Sequence, residues 1–165
     1  MDIIIRTAAT AEYEELAEIT ARAYLDDGLL TFGEKDPYLG RLRDVAGRAP
    51  AGEVLVAEYE GTLLGGVTFA PPGSPLCDIA GPGEAEFRML AVSPAARGRG
   101  AGEALVRACV SRARDLEGVG HLVLSTTEKM LGAHRIYDRL GFVRTPERDW
   151  SPVPGLPLLT YRLEL

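Results

Sequence analysis

Residues 92–102 read Val-Ser-Pro-Ala-Ala-Arg-Gly-Arg-Gly-Ala-Gly. Three glycines at alternate positions allow a tight turn in which backbone N–H groups come close to a ligand. Residues 100–116 have the periodicity of an amphipathic helix, whose unpaired first amides and positive dipole end would face the same turn. These features together predict a site for a phosphate or pyrophosphate group. A plain glycine-rich turn with solvated arginines is the alternative interpretation.

Two common nucleotide-binding motifs fit this segment poorly. A P-loop requires Gly-Lys-Ser/Thr, and no lysine lies near residues 92–102. A dinucleotide fingerprint is GxGxxG directly after the first strand, whereas Glu103 occupies the position of its last glycine here and the preceding strand is not the first. A dinucleotide-binding module is therefore a weaker alternative.

A second motif follows downstream, where residues 133–142 read Ala-His-Arg-Ile-Tyr-Asp-Arg-Leu-Gly-Phe. Together with residues 97–102, it resembles the paired signatures Arg/Gln-x-x-Gly-x-Gly/Ala and Ala-x-x-x-Tyr-x-x-x-Gly-Phe of the GCN5-related N-acetyltransferase (GNAT) superfamily. The order, the separation and the strand between the two motifs also match. The resemblance is specific over residues 85–142, and the order of elements extends it over the chain.

The resemblance implies an α/β (α+β) fold with a mixed, mostly antiparallel central sheet, splayed middle strands and about four flanking helices. The pattern of hydrophobic residues along the chain agrees with this fold. The pattern predicts strands at residues 3–5, 53–59, 62–70, 85–92, 121–125, from 142 onward and at 158–163. It predicts helices after Thr10, near 38–48, at 100–116 and from Thr126 or Thr127 to Leu140. We expect a single domain over residues 1–165.

The resemblance further implies that acetyl-CoA is the cosubstrate. The strand ending at residues 90–92 would offer backbone groups to the pantetheine arm, and the Leu90 N–H would polarise the thioester carbonyl. The amides of residues 98–102 would hold the pyrophosphate, while two arginines supply positive charge. The predicted cofactor-binding residues are Leu90, Ala91, Val92, Arg97, Gly98, Arg99, Gly100, Ala101 and Gly102.

Two residues are candidates for proton transfer. Tyr137, at the tyrosine of the second motif, is the candidate acid that protonates the departing thiolate; a core tyrosine is the alternative. Glu86 matches the strand on which histone-acetyltransferase relatives carry a glutamate, and is the candidate base; a strand residue paired with Arg88 is the alternative. Many relatives have an asparagine where this chain has Met130.

The acceptor site is predicted from less regular segments. An acidic and aromatic stretch after the first helix would suit a cationic amine. Arg88 and Arg148 would instead suit an acceptor that carries a carboxylate, and the sequence leaves both possibilities open. The candidate acceptor-binding residues are Tyr24, Phe32, Arg88 and Trp150.

These residues predict an N-acetyltransferase that moves acetyl from acetyl-CoA to a primary amine of a small molecule, a peptide N-terminus or a protein. Neither Cys77 nor Cys109 lies in a nucleophile arrangement, which favours direct attack in a ternary complex. A non-catalytic acyl-CoA-binding sensor is the alternative.

The amino-acid composition disfavours several other functional classes. The chain has 165 residues with 18 Lys and Arg against 24 Asp and Glu, a net charge of −6. This charge disfavours a general nucleic-acid binder or a polybasic membrane protein. Two cysteines and two histidines leave few ligands for a metal site, so none is expected. With no basic leader and no run of about 20 apolar residues, we expect a cytoplasmic protein. Dimerisation among similar proteins makes a homodimer the expected assembly.

Overall fold

A seven-stranded sheet runs through the computed structural model, which describes residues 2–165. The strands are β1 (Ile4–Thr7), β2 (Glu53–Tyr59), β3 (Thr62–Ala70), β4 (Glu84–Val92), β5 (His121–Thr127), β6 (Val143–Arg144) and β7 (Leu158–Glu164). Their spatial order is β1-β2-β3-β4-β5-β7-β6. Every neighbouring pair is antiparallel except β4 and β5, which run parallel. The predicted mixed, mostly antiparallel sheet is confirmed.

Five α-helices flank this sheet within the described residues, one more than predicted. They are α1 (Tyr13–Asp26), α2 (Tyr38–Arg43), α3 (Val45–Arg48), α4 (Ala101–Asp115) and α5 (Leu131–Leu140). The helix expected near residues 38–48 is divided at Asp44, whose φ of −82° and ψ of 61° are not helical. The Asp44 carboxylate accepts the Gly47 N–H at 3.0 Å and so begins a new helix. The last helix begins at Leu131 because Thr126 and Thr127 remain in β5, paired with β7.

Helices cover both faces of the sheet, and β2 shows why. Its alternate side chains enter different cores, because successive residues of a strand point to opposite faces. Leu55 and Ala57 pack with α4, whereas Val54 and Val56 pack with Leu16 of α1 and with α3. The resulting run of buried residues in β2 is typical of a strand that is covered on both sides.

The two middle strands separate after a short contact, which confirms the predicted splay. β4 and β5 pair only at Glu84–His121, Ala85–Leu122 and Glu86–Val123. Beyond this point β4 also bulges away from β3, since Met89 has a φ of 57° and the register shifts between Gly66 and Thr68. The far half of β4 therefore has one edge without a strand partner, and this edge borders the two cavities described next.

Candidate active site

The first cavity, the glycine cleft, has a volume of about 630 Å³ and lies between the end of β4, the beginning of α4 and the beginning of α5. Of the predicted cofactor-binding residues, only Arg99 is absent from its walls. The others line it together: Leu90, Ala91, Val92, Arg97, Gly98, Gly100, Ala101 and Gly102. The sequence motif and the free edge of β4 thus meet in one cleft.

The loop at this cleft adopts the conformation that its glycines permit. Gly98 and Gly100 have φ values of 78° and 86°, in the left-handed region that side chains disfavour. α4 begins directly afterwards, and the Ala104 N–H makes a helical bond to the Gly100 carbonyl at 3.0 Å. The amides of the first turn before Ala104 have no partner within the helix and can bind an anion.

Close packing also requires Gly102. A Cβ there would lie 3.1 Å from Ile136 Cδ1 and 3.6 Å from Val92 Cγ2. The missing side chain therefore lets α4 approach α5 and β4 closely at the bottom of the glycine cleft.

The end of α1 is tied across the same cleft. Arg97 donates two hydrogen bonds to the Asp27 carboxylate, at 2.7 and 2.8 Å. Lys129, on the other side of the cleft, approaches the Gly28 carbonyl at 3.4 Å. The Arg97 side chain that the sequence predicts as a phosphate ligand is thus already paired with a carboxylate.

The second cavity, the aromatic cavity, has a volume of about 490 Å³ and lies on the other side of the splay. It is formed by residues 29–41, β4, the end of β5 and residues 150–158. All four candidate acceptor-binding residues line it: Tyr24, Phe32, Arg88 and Trp150. Phe32 is 68% exposed. Trp150 is fixed by a bond of 3.0 Å from its Nε1 to Ser125 Oγ.

Glu86 lies in the wall of this cavity and is only 1% exposed. Its carboxylate accepts the backbone N–H groups of Asp78, Ile79 and Ala80 at 2.9 to 3.1 Å. Loss of solvation raises the pKa of Glu86, although the three amides act in the opposite direction. The side chain therefore holds the loop at residues 78–80 against the cavity.

The two candidate arginines differ in position. Arg88 lines the aromatic cavity and donates to the Leu76 carbonyl at 2.8 Å and to Tyr38 Oη at 3.5 Å. Arg148 lies outside both cavities, where it binds Glu84 at 2.8 Å and the Ile79 carbonyl at 2.7 Å. Of these two candidate arginines, Arg88 alone is placed to contact a molecule in the aromatic cavity.

Three residues, Tyr24, Leu29 and Met130, line both cavities and mark where they meet. The Met130 side chain thus lies at the junction. Tyr137 lines neither cavity.

Tyr137 is 3% exposed, and its ring packs against three aromatic rings at centroid distances of 5.4 to 6.0 Å. These rings belong to Phe87, Phe142 and Tyr161. Burial raises the pKa of Tyr137 well above that of a free tyrosine. The phenol therefore keeps its proton at neutral pH.

Neither cysteine lines a cavity. Cys109 lies on the buried face of α4, and burial raises the pKa of the half-buried Cys77 to about 11. Over residues 2–165, no group of three or more His, Cys, Asp or Glu side chains could hold a metal ion. In the same part of the chain, no helix has both the length and the apolar character needed to cross a membrane.

Sequence reasoning missed several cavity residues. The sequence points to Asp27, Asp36 and Tyr38 only through the acidic, aromatic stretch to which they belong; Asp36 and Tyr38 line the aromatic cavity, and Asp27 lines the glycine cleft. Arg41, Asp78 and Thr127 had no sequence signal, because each belongs to a different segment outside the two motifs.

Comparison of the chain with known proteins identifies its family and several relatives. The acetyltransferase (GNAT) family matches residues 13–142. An N-acetyltransferase of Schizosaccharomyces pombe, itself uncharacterized, is 36% identical over 117 residues, which are 70% of this chain and 66% of that protein. Mycothiol acetyltransferase of Cellulomonas flavigena is 39% identical over 120 residues, 67% of this chain and 34% of that protein. The alignments thus span about two thirds and one third of these relatives.

A solved structure shares the whole fold. The structure of yncA from Salmonella typhimurium, determined with its cofactor acetyl-CoA, superimposes with a TM-score of 0.72 at 23% identity. The match covers 99% of this chain and 94% of the other.

Proposed function

The chain belongs to the acetyltransferase (GNAT) family, and from this premise we propose that it is an acetyl-CoA-dependent N-acetyltransferase that acts on a primary amine. One observation carries the proposal: a cleft suited to a phosphorylated donor and a separate cavity suited to an acceptor meet at a junction beside the free edge of β4. An amine in one cavity can therefore reach a thioester in the other.

We propose that acetyl-CoA occupies the glycine cleft. Its pyrophosphate would bind the first amides of α4, and its pantetheine arm would pair with residues 90–92, whose β5 side has no strand partner. The Leu90 N–H, next to the bulge at Met89, would stabilise the negative charge that develops on the thioester oxygen. The Salmonella typhimurium protein with its bound acetyl-CoA supports this choice of cofactor.

We propose that acetyl transfer is direct. The amine nitrogen attacks the thioester carbon, the carbon–sulfur bond breaks and CoA leaves as the thiolate. Glu86, whose raised pKa makes it a better base than an ordinary carboxylate, would take the proton lost by the amine, directly or through water. Tyr137 would give a proton to the thiolate, which requires its buried phenol to gain contact with the junction of the two cavities. Direct transfer is supported by the position of both cysteines outside the cavities.

The proposal is tested by following release of the CoA thiol from acetyl-CoA with a panel of acceptors. The panel contains simple amines, amino acids, N-terminal peptides and aminoglycosides, and calorimetry first measures CoA affinity. We expect CoA binding and turnover with one acceptor class. Tight binding of CoA without thiol release on any acceptor would favour the sensor instead. Absence of CoA binding would overturn the proposal.

Further predictions concern the domain organisation, the assembly, the location and the partners of the chain. We propose a single domain over residues 1–165, a homodimer and a cytoplasmic location, with neither nucleic acid nor a membrane as a partner. Limited proteolysis tests the first, sedimentation velocity the second, and fractionation of cells the third.

A further inference from the structure

Two arginines, Arg41 and Arg88, line the aromatic cavity together with three carboxylates. Arg48, which is 6% exposed, is held by Thr68 Oγ1 at 3.1 Å and by the carbonyls of residues 41 and 42, and Thr68 is the β3 partner of Arg88. Burial lowers the pKa of Arg48, and so does the neighbouring charge of Arg88. The two guanidinium groups therefore raise the electrostatic potential at the same place.

Several arginines elsewhere in residues 2–165 have a closer carboxylate, although Arg99, Arg114, Arg135 and Arg162 have none within 4.0 Å. Arg6, Arg97 and Arg144 each have a carboxylate oxygen at 2.7 Å. Across residues 2–165, neither Arg41 nor Arg48 has a carboxylate oxygen within 4.0 Å, and the nearest to Arg88 is Asp78 Oδ2 at 3.4 Å.

Of the three carboxylates that line the cavity, Asp78 lies beside Arg88, and the other two are occupied by backbone groups. Asp36 accepts the N–H of Tyr38 at 2.9 Å and that of Phe32 at 3.2 Å. Glu86 accepts three amides of residues 78–80. Each of these two carboxylates therefore fixes a loop at the cavity and has less capacity left to pair with an arginine.

Two buried polar atoms in this region have no hydrogen-bond partner. In the described part of the chain, the buried side-chain nitrogen and oxygen atoms without a partner are Arg88 Nε and Thr127 Oγ1. Both residues line the aromatic cavity, on the two splayed strands. A buried donor without a partner costs about 1–3 kcal/mol, so a polar group that reached these atoms from the cavity would be stabilised there.

We propose that the acceptor carries a carboxylate as well as the reacting amine, and that Arg88 is the residue that selects it. A carboxylate is planar and can accept two hydrogen bonds from one guanidinium. Arg88 precedes Leu90 by two residues on β4, with the bulge at Met89 between them, so one strand carries both the guanidinium and the proposed thioester site. Apolar walls from Phe32, Trp150 and Leu156 suit an apolar side chain. The inferred substrate class is a free amino acid with an apolar side chain.

This inference rests on the proposed function, and matched acceptors test it. Thiol release is measured with L-phenylalanine, L-leucine and L-methionine and with the amide of each. The amides have amines of lower pKa, so more of each amide is in the reactive neutral form and intrinsic chemistry favours them. We expect kcat/KM to be about 100-fold higher for the acids, a difference of about 2.7 kcal/mol. Equal values for acid and amide would overturn the inference and leave the proposed function intact.

Substitution of Arg88 locates the effect. Arg88→Met should lower kcat/KM for the acids about 100-fold, change it less than threefold for the amides and leave acetyl-CoA affinity unchanged. Arg88→Lys keeps the charge and should restore part of the preference, which also covers the case in which the methionine variant folds poorly. Arg22→Met is the matched control, because Arg22 is an exposed α1 residue paired with Asp26. An acid-to-amide ratio that survives in both Arg88 variants would overturn the assignment.

A binding measurement separates the two proposals if no acceptor is turned over. Calorimetry then compares N-acetyl-L-phenylalanine with its amide on the CoA-loaded protein. Binding of the acid alone, lost in Arg88→Met, would retain the carboxylate site while the proposed function fails. Equal binding of acid and amide, or no binding of either, would overturn the carboxylate site as well.

Discussion

The glycine cleft and the aromatic cavity lie on either side of one splay but are built in different ways. The cleft is formed largely by backbone: left-handed glycines, the first amides of α4 and the unpaired edge of β4. The cavity is formed largely by side chains from four separate segments. A backbone site requires particular glycines at particular spacings, whereas a side-chain site constrains residues that are far apart in sequence. The proposed donor site is therefore visible in the sequence as a local motif, whereas the proposed acceptor site has no comparable motif.

The largest expected effect concerns Tyr137, which lies in the core outside both cavities. Tyr137→Phe should lower kcat about 100-fold, the size of an acid's contribution, with every acceptor. Acetyl-CoA affinity and the melting temperature should change little, because the phenyl ring keeps its packing against Phe87, Phe142 and Tyr161. Steady-state kinetics and calorimetry measure the two parts. An unchanged kcat would remove Tyr137 as the acid.

A second test concerns the wall of the aromatic cavity. Glu86→Gln should lower kcat/KM about 30-fold and remove the acidic limb of the pH–rate profile, as expected on loss of a base. Since burial raises the pKa of Glu86, that limb in the unaltered enzyme should lie above the usual range of a carboxyl. Amide exchange of residues 78–80 is followed in parallel. Faster exchange with an unchanged limb would assign Glu86 to holding the loop only.

The glycine cleft is tested by a backbone change alone. Gly98→Ala with Gly100→Ala should weaken acetyl-CoA binding about tenfold, since each residue has a positive φ that costs a side chain about 1–2 kcal/mol. Neither new Cβ meets an atom within 4 Å, so steric contact does not explain a loss. Gly73→Ala is the control, with a φ of 81° and equally open surroundings away from both cavities. Equal loss of affinity in the control would contradict the assignment.

The smallest effect should come from the support of Trp150. Asp149 is paired with Arg144 at 2.7 Å, and this pairing lowers its pKa to about 2. Asp149→Asn should raise the acceptor KM about threefold without changing acetyl-CoA affinity, because the loop that carries Trp150 loosens. Because the pKa of Asp149 is lower in the folded than in the unfolded chain, its ionised carboxylate stabilises the fold above about pH 4. This stabilisation is lost as the pH falls toward 2.

Urea unfolding at several pH values checks the stability part of this last prediction. The difference in unfolding free energy between Asp149→Asn and the unaltered protein should be largest near neutral pH. It should shrink as the pH falls below about 4. A difference that is constant over this range would show that the ion pair is not its source.

The order of elements followed from sequence to a large extent because hydrophobic periodicity and the two motifs are local. The bounds of β2 and β3 agree with the expected ones. The break at Asp44 did not follow, since it depends on one side chain capping the next helix. The site divides in the same way: the glycines of the cleft were visible in sequence, whereas the meeting of Arg41, Asp78 and Thr127 depends on long-range packing.

Because β4 and β5 pair only at one end, a bend at that end would move the two strands apart by a larger distance at positions farther along them. Three residue pairs form this paired end, and the distance from it grows by about 3.3 Å for each residue beyond Glu86. A rotation of about 5° would therefore move Arg88 by roughly 0.6 Å but Val92 by roughly 1.7 Å. The proposed acceptor site thus lies near the paired end of the two strands, where β4 has a neighbour on both sides, and the proposed site of the pantetheine arm lies at the open end, where β4 is paired with β3 alone.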